Sequence, residues 1–152
     1  WGFKFDKKTA LMTAKYNAAC CLMHNKDEAV YNDFLEDMVS EMAECVKIPR
    51  EAGVADDKIM LDPGVGFGKT YEMNLAAINH VDVLHRLGFP ILLGTSRKSV
   101  IGNTLNLPAD QRVEGTLATT VIGVMKNCAF VRVHDIKENK RVIQMTEAIL
   151  GR

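Results

Sequence analysis

Three short polar clusters carry most of the chemistry available to this sequence, and each sits where an apolar run stops. Asp62-Pro63-Gly64-Val65-Gly66-Phe67-Gly68-Lys69-Thr70 follows the run from Lys58 to Leu61. Gly94-Thr95-Ser96-Arg97-Lys98-Ser99 follows Ile91 to Leu93, and Arg132, His134 and Asp135 close the run that starts at Ala129. A carboxylate such as Asp62 suits a pair of N–H donors on one ligand edge. Arg132 and His134 are two residues apart, so on an extended chain both leave the same face and can grip one anion. Gly66 and Gly94 would let backbone approach a ligand closely, although glycine at such turns needs no ligand to explain it. Polar residues gathered where several strands stop predict one shared ligand site.

The elements that must position these groups follow from patterning. Lys7 to Tyr16 reads as a short helix, and Ala18 to Met23 as a strand ending at His24 and Asn25. From Asp27 to Arg50, apolar residues recur at three-and-four spacing through Val30, Phe34, Leu35, Met38, Val39, Met42 and Val46, the signature of one buried helix face. Lys58 to Leu61 is the next strand. Thr70 is placed to cap a helix with the stripe Leu75, Ile78, Val81, Leu84 and Leu87, stopped by Gly88 with Pro90 beyond. The strand Ile91 to Leu93 follows, then a polar loop over 103–115. A helix through Ala118, Val121, Ile122 and Met125, a strand from Ala129 to Val133, and a last helix from Glu138 to Leu150 complete the order.

Short apolar strands alternating with helices predict a parallel sheet, because each crossover helix returns the chain to the same starting edge. Two architectures satisfy that pattern, an open doubly wound sheet and a (β/α)8 barrel. Ligands gather at the carboxyl ends of the strands in both.

Composition narrows the function classes. The chain has 152 residues, 47% of them hydrophobic, enough for one domain with a core, and no apolar run is long enough for a membrane span. Lys plus Arg and Asp plus Glu both number 19, so no overall field favours nucleic acid, and any anion site must be built locally. Cys20, Cys21, Cys45 and Cys128 lack metal or redox spacing, and we expect buried reduced thiols and a cytoplasmic location. His24, which has no evident partner, and the helical His80 and His85 are not recruited to the site. The sequence opens Trp1-Gly2-Phe3-Lys4-Phe5-Asp6 with neither an initiator methionine nor a signal peptide, as a chain that starts partway through a fold would.

One motif admits a rival. Pro63 to Thr70 differs by one residue from the phosphate-cradling pattern G-x-x-x-x-G-K-[ST], and Asp135 could stand for the aspartate that holds magnesium in such sites. Proline in place of the first glycine fixes φ and removes an N–H, which weakens the wrap around a phosphate. That reading also leaves Ser96 to Ser99 without a role.

Taken together and in this order, DPGVGFGKT, GTSRKSVIG and RVHD resemble the dihydropteroate synthase family, and WGFKFD resembles the stretch just after the fourth strand of that family's barrel. The resemblance covers essentially the whole chain but only the C-terminal half of the family barrel. It implies an α/β fold, the C-terminal half of a TIM-type (β/α)8 barrel, with residues 1–152 forming a single partial domain of four parallel strands, five to eight, alternating with helices.

The implied activity is a transferase reaction: 4-aminobenzoate joins 6-hydroxymethyl-7,8-dihydropterin pyrophosphate, giving 7,8-dihydropteroate and pyrophosphate. By resemblance, Asp62 binds the pterin's amino group and ring N–H, Lys98 its ring atoms, and Ser99 the aminobenzoate carboxylate. Arg132 and His134 hold the departing pyrophosphate, and Lys98, Arg132 and His134 are the catalytic candidates. Met23 and Phe67 would wall the pterin slot. The family implies Mg2+ with the pyrophosphate, its protein ligand outside this chain, and a homodimer through C-terminal helices. No nucleic-acid or membrane partner is implied. A pterin-binding methyltransferase barrel, which would need no seat at Ser99, and a non-catalytic half-barrel module stand as alternatives. Four strands cannot close a barrel of eight, so the chain alone is expected to be inactive or nearly so.

Overall fold

Side-chain capping decides where the helices begin. The computed structural model describes residues 2–152, so the Trp1 of the opening WGFKFD stretch lies outside the described residues. Asp6 accepts from the Lys8 amide and starts α2 (Lys7–Lys15), which follows the single turn α1 (Gly2–Phe5). Asp33 accepts from the amides of Leu35 and Glu36 and opens α3 (Phe34–Glu51), later than the expected start at Asp27. Residues 27–33 instead form a loop, whose Tyr31 hydroxyl donates to the Gly68 carbonyl at 2.7 Å.

Strand β1 (Cys20–Met23) pairs in parallel with β2 (Ile59–Asp62), placing Met23 opposite Asp62. Strand β3 (Leu92–Leu93) pairs in parallel with β4 (Phe130–Val131), and a parallel bridge from Leu61 to Ile91 joins the two pairs. The sheet order is therefore β1-β2-β3-β4, each neighbour also the next strand in sequence.

Thr70 caps α4 (Tyr71–Asn79) as expected, accepting from the Met73 amide. The expected continuous helix to Leu87 instead gives way at His80 to a 3₁₀ segment, Val81–Leu87, which ends at Gly88 with φ of 80°. Ile78, Val81 and Leu84 are buried as the stripe requires, whereas Leu75 is exposed. Helix α5 (Ser99–Leu105), a 3₁₀ turn, Ala109–Gln111, and the first residues of the next helix together occupy most of the expected loop. Helices α6 (Val113–Met125) and α7 (Ile136–Leu150) pack on each other.

Burial along the strands distinguishes the two architectures. Ile59, Leu61, Ile91 and Leu93 are at most 1% exposed and form the core with Met38, Met42, Val46 and Leu84 of the helical layer. The alternate residues Cys21, Met23, Met60 and Leu92 are half-buried or exposed, and Phe130 is 48% exposed. Helices thus cover one face only. A doubly wound sheet is covered on both faces, whereas a barrel keeps its helices outside and turns the second face inward. Cavities of about 330 and 280 Å³ run along the outer strands β1 and β4, where a closed barrel would place further strands. The fold is a partial (β/α)8 barrel.

No helix among the described residues is long and apolar enough to cross a membrane. The four cysteines are free, but none is buried, against expectation: Cys21 is exposed and the others are half-buried. Cys20 and Cys21 lie on β1, which is paired on one side only among the described residues.

Candidate functional site

All three polar clusters lie at the carboxyl end of the sheet, and two turns hold them there. Asp62 ends β2 and is 8% exposed. Its Oδ1 accepts from the Gly64 amide at 2.7 Å, the turn cap that a carboxylate before Pro-Gly can supply. Its Oδ2 makes no hydrogen bond among the described residues and lies 3.7 Å from where a Cβ on Gly94 would stand. Asp62 thus serves the turn with one oxygen and presents the other to the uncovered face. Burial pushes its pKa above the usual range, against the opposing pull of the Gly64 N–H, Lys98, Lys69 and Arg132.

Lys98 closes the second cluster, just before α5. Its ammonium donates to the Val65 carbonyl and stands 4.9 Å from the Phe67 ring centroid. Burial lowers its pKa, with Asp62 opposing the shift and Arg132 adding to it. Arg132 lies one residue past β4, its amide donating to the Leu93 carbonyl at 3.0 Å. Its side chain is exposed and has no hydrogen bond or ion pair among the described residues. One carboxylate therefore faces two cations across the ends of three neighbouring strands.

His134 is set differently from Arg132, and both lie beyond β4, which ends at Val131 rather than at the expected Val133. The Ser96 hydroxyl oxygen accepts the His134 amide at 3.1 Å and lies 2.9 Å from Nδ1. Ser96 is 7% exposed and has no other acceptor for its own hydrogen among the described residues, so it donates to Nδ1. The ring proton then stands on Nε2, a donor available to an anion. Ser99, the first residue of α5, is exposed, and Met23 is half-buried beside Gly64. Gly66 has φ of 88°, and the nearest atom to a Cβ there would be Lys98 Cδ at 3.6 Å.

The Ser96 to Ser99 turn rests on pairings that local sequence does not indicate. Arg97 adopts φ of 60°, a strained setting for a side chain of its size, and pairs in fork geometry with Asp135 at 2.6 and 3.2 Å. Arg112 donates to the carbonyls of Leu107, Arg97 and Lys98, holding the turn from behind. A Cβ on Gly102 would meet that guanidinium at 2.2 Å, which accounts for glycine there.

These contacts remove the phosphate-cradling alternative. The amides of Gly64, Gly66 and Phe67 are spent on Asp62, Asn74 and the Gly64 carbonyl. Asp135 is committed to Arg97. Lys69 turns inward, donating to the carbonyls of Gly64 and Phe67 and to His24 Nδ1. His24, left without a partner in the sequence reading, is 1% exposed and also reaches Glu41 through Nε2 at 2.8 Å. Only chain folding brings positions 24, 41 and 69 together, so no local pattern marks them.

Among the described residues no group of three or more His, Cys, Asp or Glu could hold a metal ion.

Comparison with known proteins places this geometry among relatives. The profile of a family described as pterin binding enzyme matches residues 1–134. A dihydropteroate synthase of Clostridium beijerinckii is 58% identical over 153 residues, covering 100% of this chain and 57% of the relative. One from Bacillus subtilis is 49% identical over 152 residues, covering 100% of this chain and 53% of its own. Among solved structures, the Clostridium difficile dihydropteroate synthase in the presence of pteroic acid superposes with a TM-score of 0.95 at 45% identity, covering 98% of this chain and 57% of that one. The Yersinia pestis enzyme with a pterin-sulfa conjugate gives 0.91 at 36% identity, covering 96% and 57%. The chain spans about half the length of the curated relatives it matches.

Proposed function

The chain belongs to the pterin binding enzyme family, and from that premise we propose that it supplies the C-terminal part of a dihydropteroate synthase barrel. In this reading the closed barrel joins 4-aminobenzoate to 6-hydroxymethyl-7,8-dihydropterin pyrophosphate. Support comes chiefly from the shared face: the free oxygen of Asp62, the Lys98 ammonium and the unpaired Arg132 lie at neighbouring strand ends, where Asp62 and Lys98 shift each other's ionisation and the Arg132 charge bears on both.

The chemistry needs no nucleophile from the protein. The aromatic amine is uncharged at neutral pH, and its lone pair forms the new N–C bond at the pterin methylene as the C–O bond to pyrophosphate breaks. The amine then loses one proton. Catalysis becomes positioning and stabilisation of a departing anion. Asp62 Oδ2 would accept from the pterin's amino group and ring N–H while Oδ1 keeps the turn. Lys98 would donate to the ring, between Asp62 and the Phe67 face, with Met23 and the backbone at Gly66 and Gly94 completing the slot. Arg132 and His134, through Nε2–H, would take the pyrophosphate, and Ser99 the aminobenzoate carboxylate. Mg2+ belongs to this reading only as a companion of the pyrophosphate, and no step above runs through it.

Cytoplasmic location and a homodimer through the C-terminal helices complete the proposal. Met125 on α6 and Ile136, Met145 and Ile149 on α7 are each at least 55% exposed, as a dimer surface requires.

Radiolabelled 4-aminobenzoate and the pterin pyrophosphate test it directly. The barrel containing this chain together with the missing strands is expected to form dihydropteroate, and the 152-residue chain by itself to form none. Asp62→Asn in the active barrel keeps the turn acceptor but loses the charge, and should weaken pterin binding about 10- to 100-fold. A closed barrel that binds no pterin overturns the activity; turnover by the isolated chain overturns its dependence on further strands.

A further inference from the structure

Behind the proposed pterin slot lies a partly buried polar chain, centred on the buried His24, that the reaction does not use. Two glycines of the 63–68 loop ride directly on the segment that follows β1. At Gly64, φ is 67° and a Cβ would stand 1.8 Å from the His24 carbonyl oxygen. At Gly68, φ is 55° and a Cβ would stand 2.4 Å from the Lys26 carbonyl oxygen. Neither glycine brings a side chain against this segment, so polar contacts hold the loop there, among them the Tyr31 hydroxyl on the Gly68 carbonyl at 2.7 Å.

The Lys69 ammonium holds the rest of the loop. Its three hydrogens have three acceptors: the Gly64 carbonyl at 3.0 Å, the Phe67 carbonyl at 3.0 Å and His24 Nδ1 at 2.9 Å. An ammonium has no lone pair, so His24 must accept at Nδ1 and carry its proton on Nε2. Nε2–H then donates to Glu41 Oε2 at 2.8 Å, and Lys26 satisfies Oε1 at 2.6 Å. A line of contacts runs from α3 through His24 and Lys69 to the two carbonyls that flank Val65 and Gly66. Val65 supplies the acceptor for Lys98, and Phe67 the ring beneath it.

We propose that Lys69, oriented by His24, is a positioning residue that locks the 63–68 loop in the form that seats Lys98 and Phe67 for the pterin ring. The consequence for substrate rests on the pterin reading above; the locking of the loop does not.

Imidazole replacements separate the two sides of His24. Asparagine places an amide atom near the Nδ1 position and keeps a partner for Lys69; glutamine reaches the Nε2 position, keeps Glu41 and abandons Lys69. Hydrogen exchange at the Gly66 and Phe67 amides, which donate to the Asn74 side chain of α4 and to the Gly64 carbonyl, reads the order of the loop without any ligand. Lys69→Met and His24→Gln should each speed exchange at these amides at least about tenfold, with His24→Asn close to the parent chain.

In the active barrel, a loop competent only about one-tenth of the time raises the pterin KM about tenfold with kcat little changed. A loss of folded enzyme would lower kcat at constant KM instead. Should Lys69→Met fail to fold, as read by circular dichroism, the two His24 variants still decide. Equal amide protection in all folded variants, or a fall in kcat alone, overturns the proposal. If the parent barrel binds no pterin, the functional reading fails while the exchange data continue to judge the lock.

Discussion

Acid should destabilise this chain through His24 before most carboxylates titrate. The ring is 1% exposed, with Lys69 against Nδ1 and Glu41 against Nε2. A proton added at Nδ1 would face an ammonium, so burial first, and Lys69 second, hold its pKa down to about 4 from 6.5, although Glu41 pulls the other way. The unfolded chain therefore binds a proton between pH 6.5 and about 4 that the folded chain refuses. Stability is complete above pH 6.5 and falls as pH falls through this window. At 1.36 kcal/mol per pH unit, the shift from 6.5 to about 4 is worth about 3 kcal/mol.

Urea unfolding followed by circular dichroism between pH 4 and 7.5 measures this effect. With a slope of about 2 kcal/mol per molar urea, the midpoint should drop by about 1.5 M more in the parent chain than in His24→Gln, whose amide does not titrate. Glu41 lies in both chains; burial raises its pKa, but the Lys26 and His24 hydrogen bonds win and hold it below the usual range. Parallel pH profiles for the two chains would refute the assignment of a buried, neutral His24.

Arg132→Ala in the closed barrel should lower the single-turnover rate roughly hundredfold, since it removes a cation from the departing anion; an unchanged rate rejects that role. Ser96→Ala strips both the amide and Nδ1 of His134 of their partner, and should cost about 1–2 kcal/mol in thermal unfolding. Nitrogen NMR of His134 should then show mixed tautomers in place of Nε2–H alone, and retention of a single tautomer rejects the Ser96 assignment. Gly64→Ala and Gly88→Ala both place a side chain at positive φ, 67° and 80°, but only the first meets an atom, with nothing within 4 Å of the second. The second should cost about 1–2 kcal/mol and the first at least about 3 kcal/mol, so equal costs would refute the close approach to His24.

Much of this protein was legible in one dimension because its determinants are local. Apolar runs of strand length, the helical stripe from Met38 to Val46, and the caps at Thr70 and Gly88 place all four strands and most helices within a few residues. The clusters at Asp62, Lys98 and Arg132 were readable for the same reason, since each follows directly on a strand. Errors arose where a local signal was overruled by a competing one. Asp33 captures the start of α3 from Asp27, and the stripe beyond His80 stays buried in 3₁₀ form rather than α.

What tertiary structure alone decided is which groups are free to act. Sequence placed Asp62, Arg132 and His134 at strand ends, but only folding committed one Asp62 oxygen to Gly64, left Arg132 unpaired, and set the His134 proton by way of Ser96. It likewise sent Lys69 inward to His24 rather than out to a phosphate. Hydrogen-bond capacity is a finite property of each atom, and partners 38 or 45 residues apart in sequence compete for it only once the chain has brought them within 3 Å. Composition and spacing name the candidates, and the packed fold determines which of their donors and acceptors remain unspent.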